Sequence, residues 1–234
     1  MNPFGQTVVL EGASDQFRLT RIQTFNWGTF SNVFNFPLPT EGYLFVGPSG
    51  SGKSTVLDAH AALLTPPKWV DFNVAAREAE RHGRDRSVMT YLRGAWAQQT
   101  GDGGEYVSQY LRSGTTWSAI AETYRDEQGR VVVLAQVLWV KGNSTAPGDA
   151  KRLYLTLERE FDVQELEFFA KNEFDTRRFK HDLPEAKVHT EFSAYQERFR
   201  RLLGIDNERA LRLLHKTQSA KNLGDLNVFL RDFM

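Results

Sequence analysis

An α/β fold, with a mixed β-sheet wrapped around one helix, is predicted by three observations. The run Tyr43-Leu44-Phe45-Val46 is apolar without a break, as a strand buried on both faces must be. It leads straight into a glycine-rich turn, and residues 54–64 then read as a helix stopped by Thr65-Pro66-Pro67. Residues 117–124 and 131–140 are apolar and β-rich, and they flank the polar Arg125-Asp126-Glu127-Gln128-Gly129-Arg130, a strong hairpin signal.

The remaining elements follow in chain order. Residues 1–16 alternate weakly and read as an irregular lead-in. Phe17, Leu19, Ile22 and Phe25 predict a strand that turns at Asn26-Trp27-Gly28; Phe30, Val33, Phe34 and Phe36 predict its hairpin partner, ended by Pro37 and Pro39. Residues 71–86 are polar and mixed in charge. Ser87 is placed to cap a helix through Val88, Tyr91, Leu92 and Ala95. Gly101-Asp102-Gly103-Gly104 reads as a loop, and Leu153-Tyr154-Leu155-Thr156-Leu157 as another strand. Beyond Thr190 the spacing becomes helical, with Phe192, Tyr195, Phe199, Leu202 and Leu203 closed by Gly204. Asp206 is a candidate cap for a helix through Leu214, and residues 223–234 are again helical in spacing. Two lobes are therefore expected, 1–170 with the hairpins and the glycine-rich turn, and a helical lobe over 171–234.

Bulk composition narrows the function. The chain is 41% apolar and 25% charged, ordinary for a globular protein. Twenty-nine basic residues balance 29 acidic ones, which argues against whole-surface capture of nucleic acid while leaving room for a local basic patch. No cysteine is present, so disulfides, zinc–thiolate sites and thiol nucleophiles are excluded. No basic segment leads into an apolar stretch at the start, and no apolar run approaches a membrane span. The expectation is a soluble cytoplasmic protein without a membrane partner, nucleoid association being a further option.

Gly47-Pro48-Ser49-Gly50-Ser51-Gly52-Lys53-Ser54 fits G-x-x-x-x-G-K-[ST] at every fixed position, and Thr55 follows. The glycines let the backbone fold around a polyphosphate with its N–H groups inward. The helix starting there adds unpaired N–H groups and a positive dipole end. Lys53 is the point charge for the β- and γ-phosphates and a catalytic candidate. The Ser54 hydroxyl is an oxygen ligand for Mg²⁺. ATP and Mg²⁺ are the expected cofactors.

Hydrolysis needs more: an acidic residue ending a second apolar strand, and a group to polarise water. No apolar run here ends in Asp-Glu. Val131-Val132-Val133-Leu134 continues into Ala135-Gln136, and residues 153–157 run into Glu158-Arg159; no Leu-Ser-Gly-Gly stretch occurs. The sequence predicts a nucleotide holder whose hydrolytic groups lie elsewhere.

Phe17-Arg18-Leu19, the Asn26-Trp27-Gly28-Thr29-Phe30 turn and Gly52-Lys53-Ser54-Thr55-Val56-Leu57-Asp58-Ala59 together resemble the N-terminal head segment of bacterial SMC-like proteins. Within them, the MukB/MksB group and the JetC subunit of Wadjet plasmid-defence systems are the most similar. Tyr91-Leu92-Arg93-Gly94 and Leu226-Asn227-Val228-Phe229-Leu230-Arg231 carry the more particular part of the likeness. The resemblance implies an ABC/SMC-type P-loop NTPase head half-domain whose C-terminal half, with the signature and acidic motifs, lies across a long coiled coil. The last helix would then be the root of that coiled coil, which accounts for the abrupt finish at Phe233-Met234. It also implies a second, identical head, DNA, kleisin-type and accessory subunits and a nuclease partner. ATP hydrolysis would arise only in the completed, dimerised head, driving chromosome condensation by loop extrusion, or plasmid defence. The glutamine that meets Mg²⁺ and water in such heads corresponds to Gln218, a metal-ligand and catalytic candidate, with Gln136 as rival; a solvated or capping glutamine is the plain alternative for either.

Two other functions fit the loop, a self-contained nucleotide kinase resembling guanylate kinase and a nucleotide-gated scaffold that never hydrolyses. Weaker features have plain readings beside them. Arg77, Arg81, His82, Arg84 and Arg86, interleaved with Glu78, Glu80 and Asp85, form a DNA-contact candidate or a solvated helix face. Arg177, Arg178, Lys180 and His181 have fewer acidic neighbours and are the preferred DNA contact. Trp27 and Phe30 are candidates for stacking on the base, or simply core. Asp58 either orients the loop or faces solvent. The five histidines lie too far apart in sequence to suggest a metal site.

Overall fold

The computed structural model describes residues 16–70, 72, 87–100, 106–206 and 209–211. Arg18–Phe25 (β1) and Val33–Pro37 (β2) form the expected hairpin, with Phe25 opposite Val33 and Ile22 opposite Phe36. β1 also pairs with Thr116–Arg125 (β5), which pairs with Val131–Val140 (β6), then Lys151–Leu157 (β7) and Lys187–His189 (β8). The six-stranded sheet runs β2-β1-β5-β6-β7-β8. Every pairing in it is antiparallel. Ala95–Thr100 (β3) and Tyr106–Tyr110 (β4) make a separate two-stranded sheet.

Both faces of the large sheet are covered, which is why β5 and β6 read as continuous apolar runs. Ile120, Leu134 and Leu138 point to one side, where Lys53–Leu64 (α1) and Phe192–Leu203 (α5) supply Leu63, Tyr195 and Phe199. Their neighbours Ala119, Ala121, Val133, Ala135 and Val137 point the other way, against Phe161, Phe169 and Phe179. Those rings come from the chain around Glu167–Lys171 (α3) and Thr176–Asp182 (α4). The period of two thus sorts residues between two cores rather than between core and water.

The helix predicted through Ala95 is Val88–Arg93 (α2). Ser87 caps it, its hydroxyl accepting from Thr90 N at 3.4 Å, and Gly94 ends it at φ 66°. That left-handed turn aims the chain into β3, an element the apolar pattern did not announce. The segment Tyr43-Leu44-Phe45-Val46 differs from expectation more sharply. It forms no strand, and Tyr43, Leu44 and Val46 are 56%, 80% and 79% exposed. Its composition suits a strand with neighbours on both sides, and among the described residues it has no such neighbour. Residues 1–15 of the lead-in predicted over 1–16, the basic cluster at Arg77–Arg86, the 101–104 loop, Gln218 and the helix over 223–234 lie outside the described residues.

Candidate functional site: the phosphate loop and the clamp behind it

The turn at 47–55 is folded, not extended: Ser51 N–H donates to Pro48 O at 3.3 Å. Gly50 and Gly52 hold φ of +82° and +90°, where a side chain is strained. At Gly52 there is also no room, because an added Cβ would stand 2.6 Å from the Phe30 ring. Gly52 is the N-cap of α1 and offers no capping side chain. The first amide to bond back into the helix is Val56 N, to Gly52 O at 3.2 Å, so the earlier first-turn amides remain for a ligand.

Lys53 Nζ donates to Gly47 O at 2.7 Å, Pro48 O at 2.8 Å and Ser51 Oγ at 3.3 Å. The ammonium thus ties the two arms of the loop together. Phosphate oxygens, being charged acceptors, compete favourably with neutral carbonyls for it. The donor set fits a nucleotide phosphate: first-turn amides, one ammonium, and the Ser54 hydroxyl as a hard oxygen ligand for the accompanying Mg²⁺.

Behind the loop the two segments singled out in the sequence meet. Trp27, fully buried, donates its indole Nε1–H to Thr55 O at 3.0 Å and stacks on Tyr91 at 4.5 Å between centroids. Tyr91 in turn donates its hydroxyl to the buried carboxylate of Asp58, on the second turn of α1. Gly28 N–H donates to Tyr91 O at 2.9 Å, and at φ +57° it leaves no space for a Cβ beside Thr55 and Tyr91. Arg112 then binds three carbonyls, Gly28 O, Tyr91 O and Leu92 O, at 2.7–2.8 Å. Burial lowers its pKa to about 10, so it keeps its charge at neutral pH. Arg93, 2% exposed, does the same with Gly142 O, Ser144 O, Arg112 O and Gly114 O.

Several alternatives that the sequence left open are decided here. Trp27 cannot stack on a base, because its ring is spent on the clamp. Phe30 stays beside the loop, under Gly52 and stacked on Phe34 at 4.6 Å. Asp58 does not face solvent. Gln136 lies in the middle of β6, 1% exposed. Arg177, Arg178, Lys180 and His181 line α4 on the surface, His181 Nδ1 lying 3.0 Å from Asp182 Oδ1. One group was missed entirely: His60 of α1 lies 2.6 Å from Glu122 Oε1 of β5, whose other oxygen accepts from Tyr124 Oη at 2.6 Å. Burial works against the His60 charge, but the Glu122 carboxylate and its hydrogen bond outweigh it and raise the pKa. The available signal was a glutamate at a core-facing position of an apolar run.

Fold and loop together define a P-loop NTPase domain of mixed α/β content, and such a domain implies nucleotide binding, ordinarily with Mg²⁺. Residues 19–79 match the family model described as the P-loop containing region of the AAA domain. One solved chain, from work on the structural biochemistry of ATP-driven dimerization and DNA-stimulated activation of SMC ATPases, is similar at 14% identity. The alignment covers 80% of this chain and 96% of that one, with a TM-score of 0.35. No curated protein matches the sequence. Among the described residues no group of three or more His, Asp or Glu side chains is arranged to hold a metal ion, and no helix is long and apolar enough to cross a membrane.

Proposed function

We propose that this chain is the ATP-binding N-terminal part of an SMC-like ATPase head acting on DNA, of the MukB/MksB and Wadjet JetC kind. A C-terminal head segment completes its sheet, and a second head completes its nucleotide site. The observation that carries this reading is the exposed Tyr43-Leu44-Phe45-Val46 segment directly before a fully built phosphate loop. An exposed apolar segment of that composition suits cover by further strands, and its position directly before the loop supports a place for them next to the nucleotide. The clamp formed by Asn26-Trp27-Gly28 and Tyr91-Leu92-Arg93-Gly94, the two stretches that carry the resemblance, supports it from the other side of the loop.

In this reading Lys53 and the loop amides hold the β- and γ-phosphates, Ser54 ligates Mg²⁺, and Gln218 contacts the metal and the attacking water. DNA, kleisin-type and accessory subunits and a nuclease belong to the assembled complex, in the cytoplasm. The test is complementation. The chain alone should bind ATP weakly, lose that binding in Lys53→Ala and turn over negligibly; adding the C-terminal head segment should produce DNA-stimulated hydrolysis. Phosphorylation of a nucleotide by the chain alone would instead make it a kinase. Undiminished ATP affinity in Lys53→Ala would remove the site altogether.

A further inference from the structure

On the far edge of the large sheet, β8 lies between α4 and α5 and bounds an open cleft of about 340 Å³. Its walls carry Lys180 from α4, Lys187 and His189 from β8, and Arg198 from α5, with Pro184 and Val188 between them. Three permanent cations thus converge on one cleft. Arg198 alone has a carboxylate, Glu158 Oε1, at 2.5 Å from Nη2; Lys180 and Lys187 make no ion pair among the described residues. Two nitrogens of the lining residues, Arg198 Nε and His189 Nε2, are buried and have no hydrogen-bond partner among the described residues. A buried donor left unpaired costs about 1–3 kcal/mol, and an oxyanion in the cleft would relieve that cost if the two side chains turned toward it. Burial, followed by the Arg198 charge, lowers the His189 pKa, so the ring is neutral at pH 7 and can present Nε2–H as a donor.

We propose that this cleft is a phosphate-binding site, with Arg198 Nε–H and His189 Nε2–H as inner donors and the Lys180 and Lys187 ammoniums at its mouth. The recognised chemistry is a phosphate oxyanion, supplied by a nucleic-acid backbone or by free phosphate. The geometry favours an anion over a cation or an apolar group, because two lysines and an arginine line the cleft and only the arginine is ion-paired among the described residues. The site is separate from the phosphate loop and does not depend on the nucleotide reading.

The test uses the whole 234-residue chain, labelled for imidazole NMR, with the His189 resonance identified by its disappearance in His189→Gln. Sodium phosphate, added at pH 7 against sodium chloride of equal ionic strength, should shift that resonance saturably. Lys180→Glu with Lys187→Glu should weaken the apparent affinity by about tenfold or more; both side chains are exposed, and the milder double Gln variant checks that any loss is not unfolding. A short duplex DNA that shifts the same resonance and is displaced by phosphate identifies the backbone as source. A duplex without effect leaves free phosphate as the ligand. No saturable shift with either probe, or a shift unaltered in both double variants, overturns the proposal.

Discussion

The two inner glycines of the phosphate loop differ by what a single methyl group would meet. At Gly50 an added Cβ finds nothing within 4 Å, so Gly50→Ala costs only the strain of φ +82°, about 1–2 kcal/mol. At Gly52 the same methyl meets the Phe30 ring at 2.6 Å, on top of the strain of φ +90°. Gly52→Ala should therefore weaken both stability and ATP affinity more than Gly50→Ala, and Phe30→Ala should remove most of that difference. Urea denaturation and nucleotide titration of Gly50→Ala and Gly52→Ala, each with and without Phe30→Ala, decide it; equal losses at both glycines, insensitive to Phe30, would contradict the packing seen here. Trp27 is read in the same way. Trp27→Phe keeps most of the stack on Tyr91 but leaves Thr55 O without its indole donor. A loss of about 1–3 kcal/mol is expected, with slackened ATP binding, because Thr55 lies in the first turn of the helix that forms the site.

Between elements, the contact of α1 with β5 through His60 and Glu122 makes the phosphate-loop helix sensitive to pH. The folded-state pKa of His60 lies above its ordinary 6.5. Its charge therefore contributes stability that is fully present below about pH 6.5 and is lost as pH rises through the raised value. Melting temperature should fall over that interval, and Glu122→Gln should flatten the dependence while destabilising the chain at acid pH. An unchanged pH profile in Glu122→Gln would rule out the pair as its source. This contact also marks the limit of what the sequence made legible. The hairpin of β5 and β6, the β1–β2 pair, α1 and the phosphate loop were readable because their signals are local: periodicity, turn residues, a fixed motif. His60 and Glu122 are 62 residues apart, and nothing at either position names the other. The strands β3 and β8 escaped for a related reason. One begins at the left-handed exit of Gly94, and the other is three residues long with mostly exposed or half-buried side chains, too short to show a period. Trp27 was legible as core or as a base-stacking ring, and its burial decides for core; its indole bond to Thr55 O was not legible, because composition does not tell which side of a loop an aromatic ring occupies.

At the scale of the whole molecule, the sheet is well covered on its two faces while the segment feeding the phosphate loop is bare. β5 and β6 are buried almost end to end, yet Leu44 and Val46 stand 80% and 79% exposed. Burying a leucine and a valine on association is worth about 1.5–3 kcal/mol each, so these two side chains alone can shift an equilibrium by two to four powers of ten. If the chain is completed by a C-terminal head segment, as proposed, the consequence separates the isolated chain from the assembled head. In the isolated chain, Leu44→Asp with Val46→Asp changes two exposed side chains and should alter stability by no more than about 0.5 kcal/mol. In the complemented head, the same pair of carboxylates would be forced between strands without partners, and association with the C-terminal segment should be lost, together with the ATP turnover that depends on it. Hydrogen exchange offers a check without mutation: the amides of residues 43–46 should exchange freely in the chain alone and become protected when the C-terminal segment is added. If the double variant assembles and turns over ATP as the parent does, or if those amides stay unprotected in the complex, the exposed segment is not the seam along which the head is completed.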